Sequence, residues 1–143
     1  MRTIAHLSDL HFGRVDPDVV EGLLRDLTLL DPSLVVISGD LVQRAGPRHF
    51  SAARAFLERL EQPYLVVPGN HDIPAYNLWL RFTAPFARYQ HYITRDLSPF
   101  HIDAEMAVLG ITTARSLILN FAHGRINRYQ IARIREVFEG LPW

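Results

Sequence analysis

The octapeptide LVVISGDL, Leu34 to Leu41, decides the fold. Its first half is apolar on both faces, as a strand is when a parallel sheet is covered on both sides. Its second half turns polar at once, at Ser38-Gly39-Asp40. The same transition occurs once upstream and once downstream. TIAHLS (Thr3–Ser8) runs into Asp9-Leu10-His11, and YLVV (Tyr64–Val67) runs into Gly69-Asn70-His71-Asp72. Asp9 and Asp40 are 31 residues apart, and Asp40 and Asn70 are 30 apart, which is one strand–helix unit each.

Helical periodicity fills the two intervals. Asp16-Pro17 suits an N-cap followed by proline at the first helical position. Apolar residues then fall at Val19, Val20, Leu23, Leu24, Leu27 and Leu30, the 3.6-residue stripe of a helix lying on a sheet. Asp31-Pro32 stops it. The stripe recurs after Gly46-Pro47 at Phe50, Ala53, Leu57 and Leu60, and Gln62-Pro63 stops it again. Residues 3–67 therefore read β-α-β-α-β, with right-handed crossovers.

The second half is less regular. Asn77–Tyr92 reads as an aromatic-rich helix broken or kinked at Pro85, and the spacing of Trp79, Phe82, Phe86, Tyr89 and Tyr92 assigns that stripe to the core. Phe100–Asp103 and Met106–Thr112 read as a strand pair around Ala104-Glu105. Arg115–Asn120 is a further strand candidate. Asn127 is placed to cap a last helix, Arg128–Gly140. No linker or repeat divides the chain.

Composition excludes several function classes. Of the 143 residues 48% are hydrophobic and 21% charged, which is ordinary globular chemistry. Fifteen basic residues balance fifteen acidic ones, so there is no bulk electrostatic case for nucleic acid or an anionic membrane. There is no cysteine, which removes disulfides, thiolate catalysis and cysteine-ligated metals, and fits a cytoplasmic location. The apolar runs are far below the roughly 18 residues a membrane span needs.

Ligands bind beyond the carboxyl ends of the strands in an open α/β sheet, so the three polar clusters converge on one edge. Asp9, His11, Asp40 and Asn70 offer carboxylate, imidazole and amide donors, a mixture suited to Mn, Fe or Zn. A carboxylate from the central strand can bridge two ions roughly 3.5–4 Å apart. Gly39 and Gly69 permit the tight turns that bring such side chains together. His71 beside Asp72 has the form of an imidazole oriented by a carboxylate. A nucleotide cradle of the Gly-x-Gly-x-x-Gly or Gly-x-x-x-x-Gly-Lys kind is absent after the first strand.

The blocks Ser8-Asp9-Leu10-His11, Ser38-Gly39-Asp40-Leu41 and Gly69-Asn70-His71-Asp72 resemble the first three signature blocks of the calcineurin-like metallophosphoesterases. DLHFGR, GDLVQRA and PGNHDIPAYN are most similar to the bacterial, cyclic-nucleotide phosphodiesterase-like branch, and the DLHFG start also recurs in DNA-repair exonucleases of the superfamily. The resemblance implies the α/β/β/α sandwich of that family, here as a single partial domain over residues 1–143. The β-α-β-α-β start and its mixed sheet form the N-terminal part, and the C-terminal part is missing.

It also implies roles. Asp9 and His11 would bind one divalent ion, Asp40 would bridge two, and Asn70 would bind the second. His71 would protonate the leaving oxygen, and Asp72 would orient it. The implied reaction is hydrolysis of a phosphoester, most readily a phosphodiester, by metal-activated water. The implied substrate is a small phosphoester such as a nucleotide.

Seven histidines are present, at positions 6, 11, 49, 71, 91, 101 and 123, and only His11 and His71 stand in family blocks. His6 reads as a strand residue, His49 as an exposed helix residue, and His91, His101 and His123 as structural. Arg44 reads as a solvated loop residue. The family's downstream histidine blocks are not found before Trp143. The expectation is weak metal binding and slow or no turnover by the chain alone, with self-association through uncovered sheet surface. The alternative function is that of a truncated, non-catalytic fragment or interaction module with an incomplete metal site.

Overall fold

The computed structural model describes residues 1–116 and 124–142. Three strands, β1 (Ile4–Leu7), β2 (Leu34–Ile37) and β3 (Tyr64–Val66), form a parallel sheet in the order β1-β2-β3. Ala5 pairs with Val35, and Ile37 with both Leu7 and Val66. The crossovers are α1 (Pro17–Leu30) and α2 (Pro47–Leu57). Asp16 caps α1, its carboxylate accepting from the Asp18 N–H at 2.9 Å. The helix ends on Asp31 in the left-handed conformation, just before Pro32.

The central strand is covered on both faces, which is why it reads as a continuous apolar run. Val35, Ile37 and Val66 join Leu24, Leu27, Phe50, Ala53, Phe56 and Leu57 of the two helices in the main core. Leu34, Leu65 and Val67 form a second, smaller core on the other face with Val36, Met106 and Val108. Met106 and Val108 belong to the segment of an antiparallel pair, β4 (Phe100–Ile102) and β5 (Ala107–Leu109), so the layers run helices, parallel sheet, antiparallel pair. Parallel and antiparallel pairing thus occur in two separate sheets.

The aromatic segment is divided into α3 (Leu78–Thr83) and α4 (Ala87–Tyr92), interrupted around Pro85. That break rotates the two halves apart, so the five aromatics do not share one buried face. Tyr89 is fully buried while Trp79 and Phe82 are exposed. Within α4, Tyr89 and Tyr92 pack on Phe50 of α2, with ring centroids 6.4 and 6.0 Å away. The Tyr89 hydroxyl donates to the Val66 carbonyl at 3.2 Å and ties α4 to the sheet.

The last helix, α5 (Arg128–Glu139), begins with the cap expected at Asn127, which the structure shows as a reciprocal pair with Gln130. The Asn127 side chain accepts from the Tyr129 and Gln130 N–H groups, and Gln130 accepts from the Asn127 N–H. The helix has no buried residue; Tyr129, Ile131 and Phe138 are exposed. The strand candidate Arg115–Asn120 lies outside the described residues from 117 on, and Arg115 and Ser116 are not in a strand. His123 lies outside them as well.

The main core makes a direct prediction. Phe50→Ala should lower stability by about 3–5 kcal/mol, the usual loss for a buried phenylalanine, whereas Phe138→Ala should stay within about 0.5 kcal/mol as an exposed change. Urea denaturation of the two variants measures the contrast; equal midpoints would place the core elsewhere.

Candidate metal centre

The site lies where β1, β2 and β3 end. The chain does not diverge after the first two strands. The Asp9 N–H donates to Gly39 O at 3.2 Å, His11 N–H to Asp40 O at 3.0 Å and Phe12 N–H to Leu41 O at 2.8 Å, and Gln43 N–H donates back to Phe12 O at 3.0 Å. Phe12 and Val42 even form a parallel bridge beyond the loop residues. The two loops are thus zipped together, and Asp9, His11 and Asp40 are carried on the zip.

All three adopt a left-handed backbone, with φ of 55°, 49° and 52°. Among the described residues the fourth non-glycine with positive φ is Asp31, which caps α1. Such a conformation costs on the order of 1–2 kcal/mol for a residue bearing a Cβ, and clusters where function demands a particular side-chain direction. Here it turns three donors inward. One donor atom from each lies within 4.8 Å of the others. His11 Nε2 is 3.7 Å from Asp9 Oδ1.

The third loop is held against this pair by two devices. Gly39 and Gly69 touch backbone to backbone: a Cβ on Gly39 would come within 2.9 Å of the Gly69 backbone, and one on Gly69 would collide with the Asp40 carboxylate. The second device is Asp72, whose residue is completely buried. Its Oδ2 accepts from Gly69 N–H at 2.8 Å and Leu41 N–H at 3.2 Å, and its Oδ1 from Val42 N–H at 3.0 Å. Burial pushes this carboxyl up to about 7, while those three N–H groups pull it down and nearby Asp40 adds to the rise.

Both oxygens of Asp72 accept from backbone N–H groups, and among the described residues no hydrogen bond joins it to the His71 ring. The His71 ring is held instead by the Gln43 carbonyl, 3.0 Å from Nδ1. A carbonyl only accepts, so Nδ1 carries the proton and Nε2 is left for other work. The His71 ring meets the His11 ring edge-on at 4.8 Å between centroids, and the His71 backbone N–H donates to Asp40 Oδ1 at 2.9 Å. The peptide of the third loop thus grips a carboxylate of the second.

Asn70 lines the same cleft as Asp9 and Asp40, a space of about 170 Å³ that also touches Ser38, Thr113 and Gly124. His6, read as a strand residue, reaches this edge indirectly. Its Nε2 lies 2.8 Å from the Ser38 hydroxyl, two residues beyond its register partner Val36. His49 is half-buried rather than exposed, its Nδ1 donating to the Arg44 carbonyl at 3.1 Å.

The residues present fit a divalent metal. Carboxylate and imidazole donors converge at ligand spacing, and the buried Nδ1 of His11 has no hydrogen-bond partner among the described residues. Residues 2–140 match the family model described as calcineurin-like phosphoesterase, and the chain belongs to that family. That family hydrolyses phosphoesters with divalent metals.

Over 84 residues the chain is 39% identical to a glycerophosphodiester phosphodiesterase (GpdQ) of Enterobacter lignolyticus, covering 48% of this chain and 29% of that protein. Over 82 residues it is 30% identical to a probable cyclic nucleotide phosphodiesterase of a Synechococcus species, covering 50% and 32%. The aligned parts therefore span less than a third of each of these relatives' length. The solved phosphopantetheinyl hydrolase of Mycobacterium tuberculosis matches 98% of this chain and 52% of its own, with a TM-score of 0.47 and 17% identity.

Asp72→Asn should expose how much the clamp contributes. An amide cannot accept at both positions, so at least one buried N–H loses its acceptor, at a cost of about 1–3 kcal/mol. Chemical denaturation should show this loss together with weakened manganese binding. A variant as stable as the parent would remove the clamp from the account.

Proposed function

We propose that the chain is a phosphodiesterase in which Asp9, His11, Asp40 and Asn70 hold two divalent ions, drawn from Mn, Fe or Zn, and His71 serves the leaving group. The observation that carries this reading is the convergence of three inward-turned donors from two zipped loops. Bound there, the ions would supply a water of lowered pKa and neutralise charge on the phosphoryl oxygens.

The protein's own groups do the rest. Asp40 stands between the first and third loops, accepting from His71 N–H, and so is the carboxylate suited to bridging. Asn70 offers a neutral amide oxygen from the third loop. His71 is fixed through Nδ1, which leaves Nε2 free; in the imidazolium form Nε2 would hand its proton to the departing alkoxide and leave the neutral ring with its proton on Nδ1. Asp72 sets the loop positions without touching the reacting atoms. The substrate is a small phosphodiester, and the names of the relatives support a glycerol or nucleotide ester. We place the protein in the cytoplasm on its lack of cysteine. No helix of the described residues is long and apolar enough to cross a membrane.

Exposed Ile4 at the β1 edge, with Phe100 and Ile102 on the antiparallel pair, supports self-association as a further part of the reading.

The test is manganese-dependent hydrolysis of bis(p-nitrophenyl) phosphate, with metal stoichiometry measured in parallel. Asp40→Ala should lose metal and reduce turnover by well over a hundredfold, since even changes around a ligand cost about 10–100-fold. His71→Gln should keep the metal and lower kcat by about 10²–10⁴. A chain that binds no manganese and shows no turnover would instead support the non-catalytic reading, an interaction module with an incomplete site.

A further inference from the structure

A second hollow, of about 410 Å³, adjoins the metal cleft at Ala114, which lines both. None of Asp9, His11, Asp40, Asn70 and His71 lines it. Its walls include the segment after β5 and the residues leading into α5, and hydrogen bonds hold these together. The Arg125 N–H donates to the Thr113 carbonyl at 3.0 Å, and the Gln130 side-chain amide donates to the Thr112 carbonyl at 2.7 Å. The buried guanidinium of Arg81 donates to the Ser116 carbonyl at 2.9 Å and to the Arg115 carbonyl at 3.3 Å.

These bonds fix Arg115 and Arg125 through their main chains alone. Both residues are exposed and line the hollow, and among the described residues neither guanidinium makes a hydrogen bond or an ion pair. Arg54, Arg59 and Arg133, by contrast, each pair with a glutamate. No acidic residue is among those lining the hollow, so no carboxylate of its wall neutralises the two charges. Ser98 and Ser116 add hydroxyl-bearing residues to the wall, and Phe86 and Leu97 make another part of it apolar.

We propose that this hollow is an anion site whose ligand carries a phosphoryl dianion. Each guanidinium presents a planar fork of donors that matches phosphate oxygens in pairs. Two forks suit two negative charges, whereas a phosphodiester carries one. The volume falls within the roughly 300–1,000 Å³ of small-molecule sites, and the apolar wall leaves room for an organic group on the phosphate. The inference goes beyond the phosphodiesterase reading and does not need it, because no candidate metal ligand takes part.

The experiment titrates phenyl phosphate, inorganic phosphate and dimethyl phosphate calorimetrically into the full chain. The protein is first stripped with EDTA and dialysed into a low-salt, phosphate-free buffer at pH 7.5. Phenyl phosphate should bind one to one, about tenfold or more tightly than the singly charged dimethyl phosphate, the order of one charge-assisted hydrogen bond. A tighter phenyl than inorganic phosphate identifies the ligand as an organic monoester; equal affinity identifies it as free phosphate. Arg115→Gln and Arg125→Gln should each weaken the dianion about tenfold or more at unchanged urea midpoints, since neither side chain is used in the fold. Asp40→Ala should leave its Kd within twofold. No binding, equal affinity for dimethyl phosphate, or a Kd that survives both arginine substitutions overturns the site, as does loss of binding in Asp40→Ala, which would place the anion at the metal centre. Manganese is absent throughout, so a failure of the metal reading leaves this result untouched.

Discussion

The buried carboxylate of Asp72 is the constraint on which the rest of the site depends. It comes from the third loop and accepts hydrogen bonds from its own loop at Gly69 and from the second loop at Leu41 and Val42. An ionised or even neutral carboxyl in so apolar a place costs free energy unless it is bonded. Three N–H groups offset that cost only when both loops are in position. Burial and loop geometry are therefore coupled: the loops satisfy the acid, and the acid fixes the loops. Once they are fixed, Gly39 and Gly69 can touch, the His71 N–H reaches Asp40, and the Gln43 carbonyl reaches the His71 ring.

The second coupling runs between the first two loops. Their continued pairing through Phe12 and Val42 buries both side chains completely or nearly so in the main core. That burial, at roughly 25 cal/mol per Å² of apolar surface, offsets the left-handed backbone at Asp9, His11 and Asp40. The strain is local, and its compensation lies one or two residues further along the same loops. A site arranged in this way sets the direction of its donors largely through the backbone, with the His71 N–H on Asp40 as an added side-chain contact.

Much of this was legible in the sequence, because it depends on period and spacing. The apolar runs at Leu34–Ile37 and Tyr64–Val66, the proline-bounded helical stripes and the 31- and 30-residue intervals locate the sheet and its functional edge. The Asn127 cap and the hairpin around Ala104-Glu105 are equally local signals. What could not be read depends on side chain to backbone contacts between distant positions. Gln43 carries no motif, yet its carbonyl holds His71 from 28 residues away. Asp72 stands beside His71 in the chain and so suggests a pair, but its recorded hydrogen bonds go to backbone N–H groups of two loops. Its apolar successor Ile73, also buried, is the one hint that this acid faces inward. The aromatic stripe misled for a related reason. Helical spacing transfers a face only along an unbroken helix, and Pro85 breaks it.

Charge explains why such an edge should hold a cation. Asp9 and Asp40 bring carboxylate oxygens within 4.8 Å of each other. At an effective dielectric near 20 two unit charges 4.8 Å apart repel by about 3.5 kcal/mol, a figure lowered by the exposure of Asp9. The backbone N–H of His71 offsets part of it at Asp40, and nothing comparable among the described hydrogen bonds does so at Asp9. A divalent cation between the two would turn the repulsion into attraction and would accept the imidazole of His11 as a neutral donor. The net charge of the chain is zero, so this negative edge is a local construction rather than a property of the whole surface. The arginine nearest to it along the second loop, Arg44, lies against Tyr76 rather than pairing with either acid, which keeps the carboxylates available to a cation.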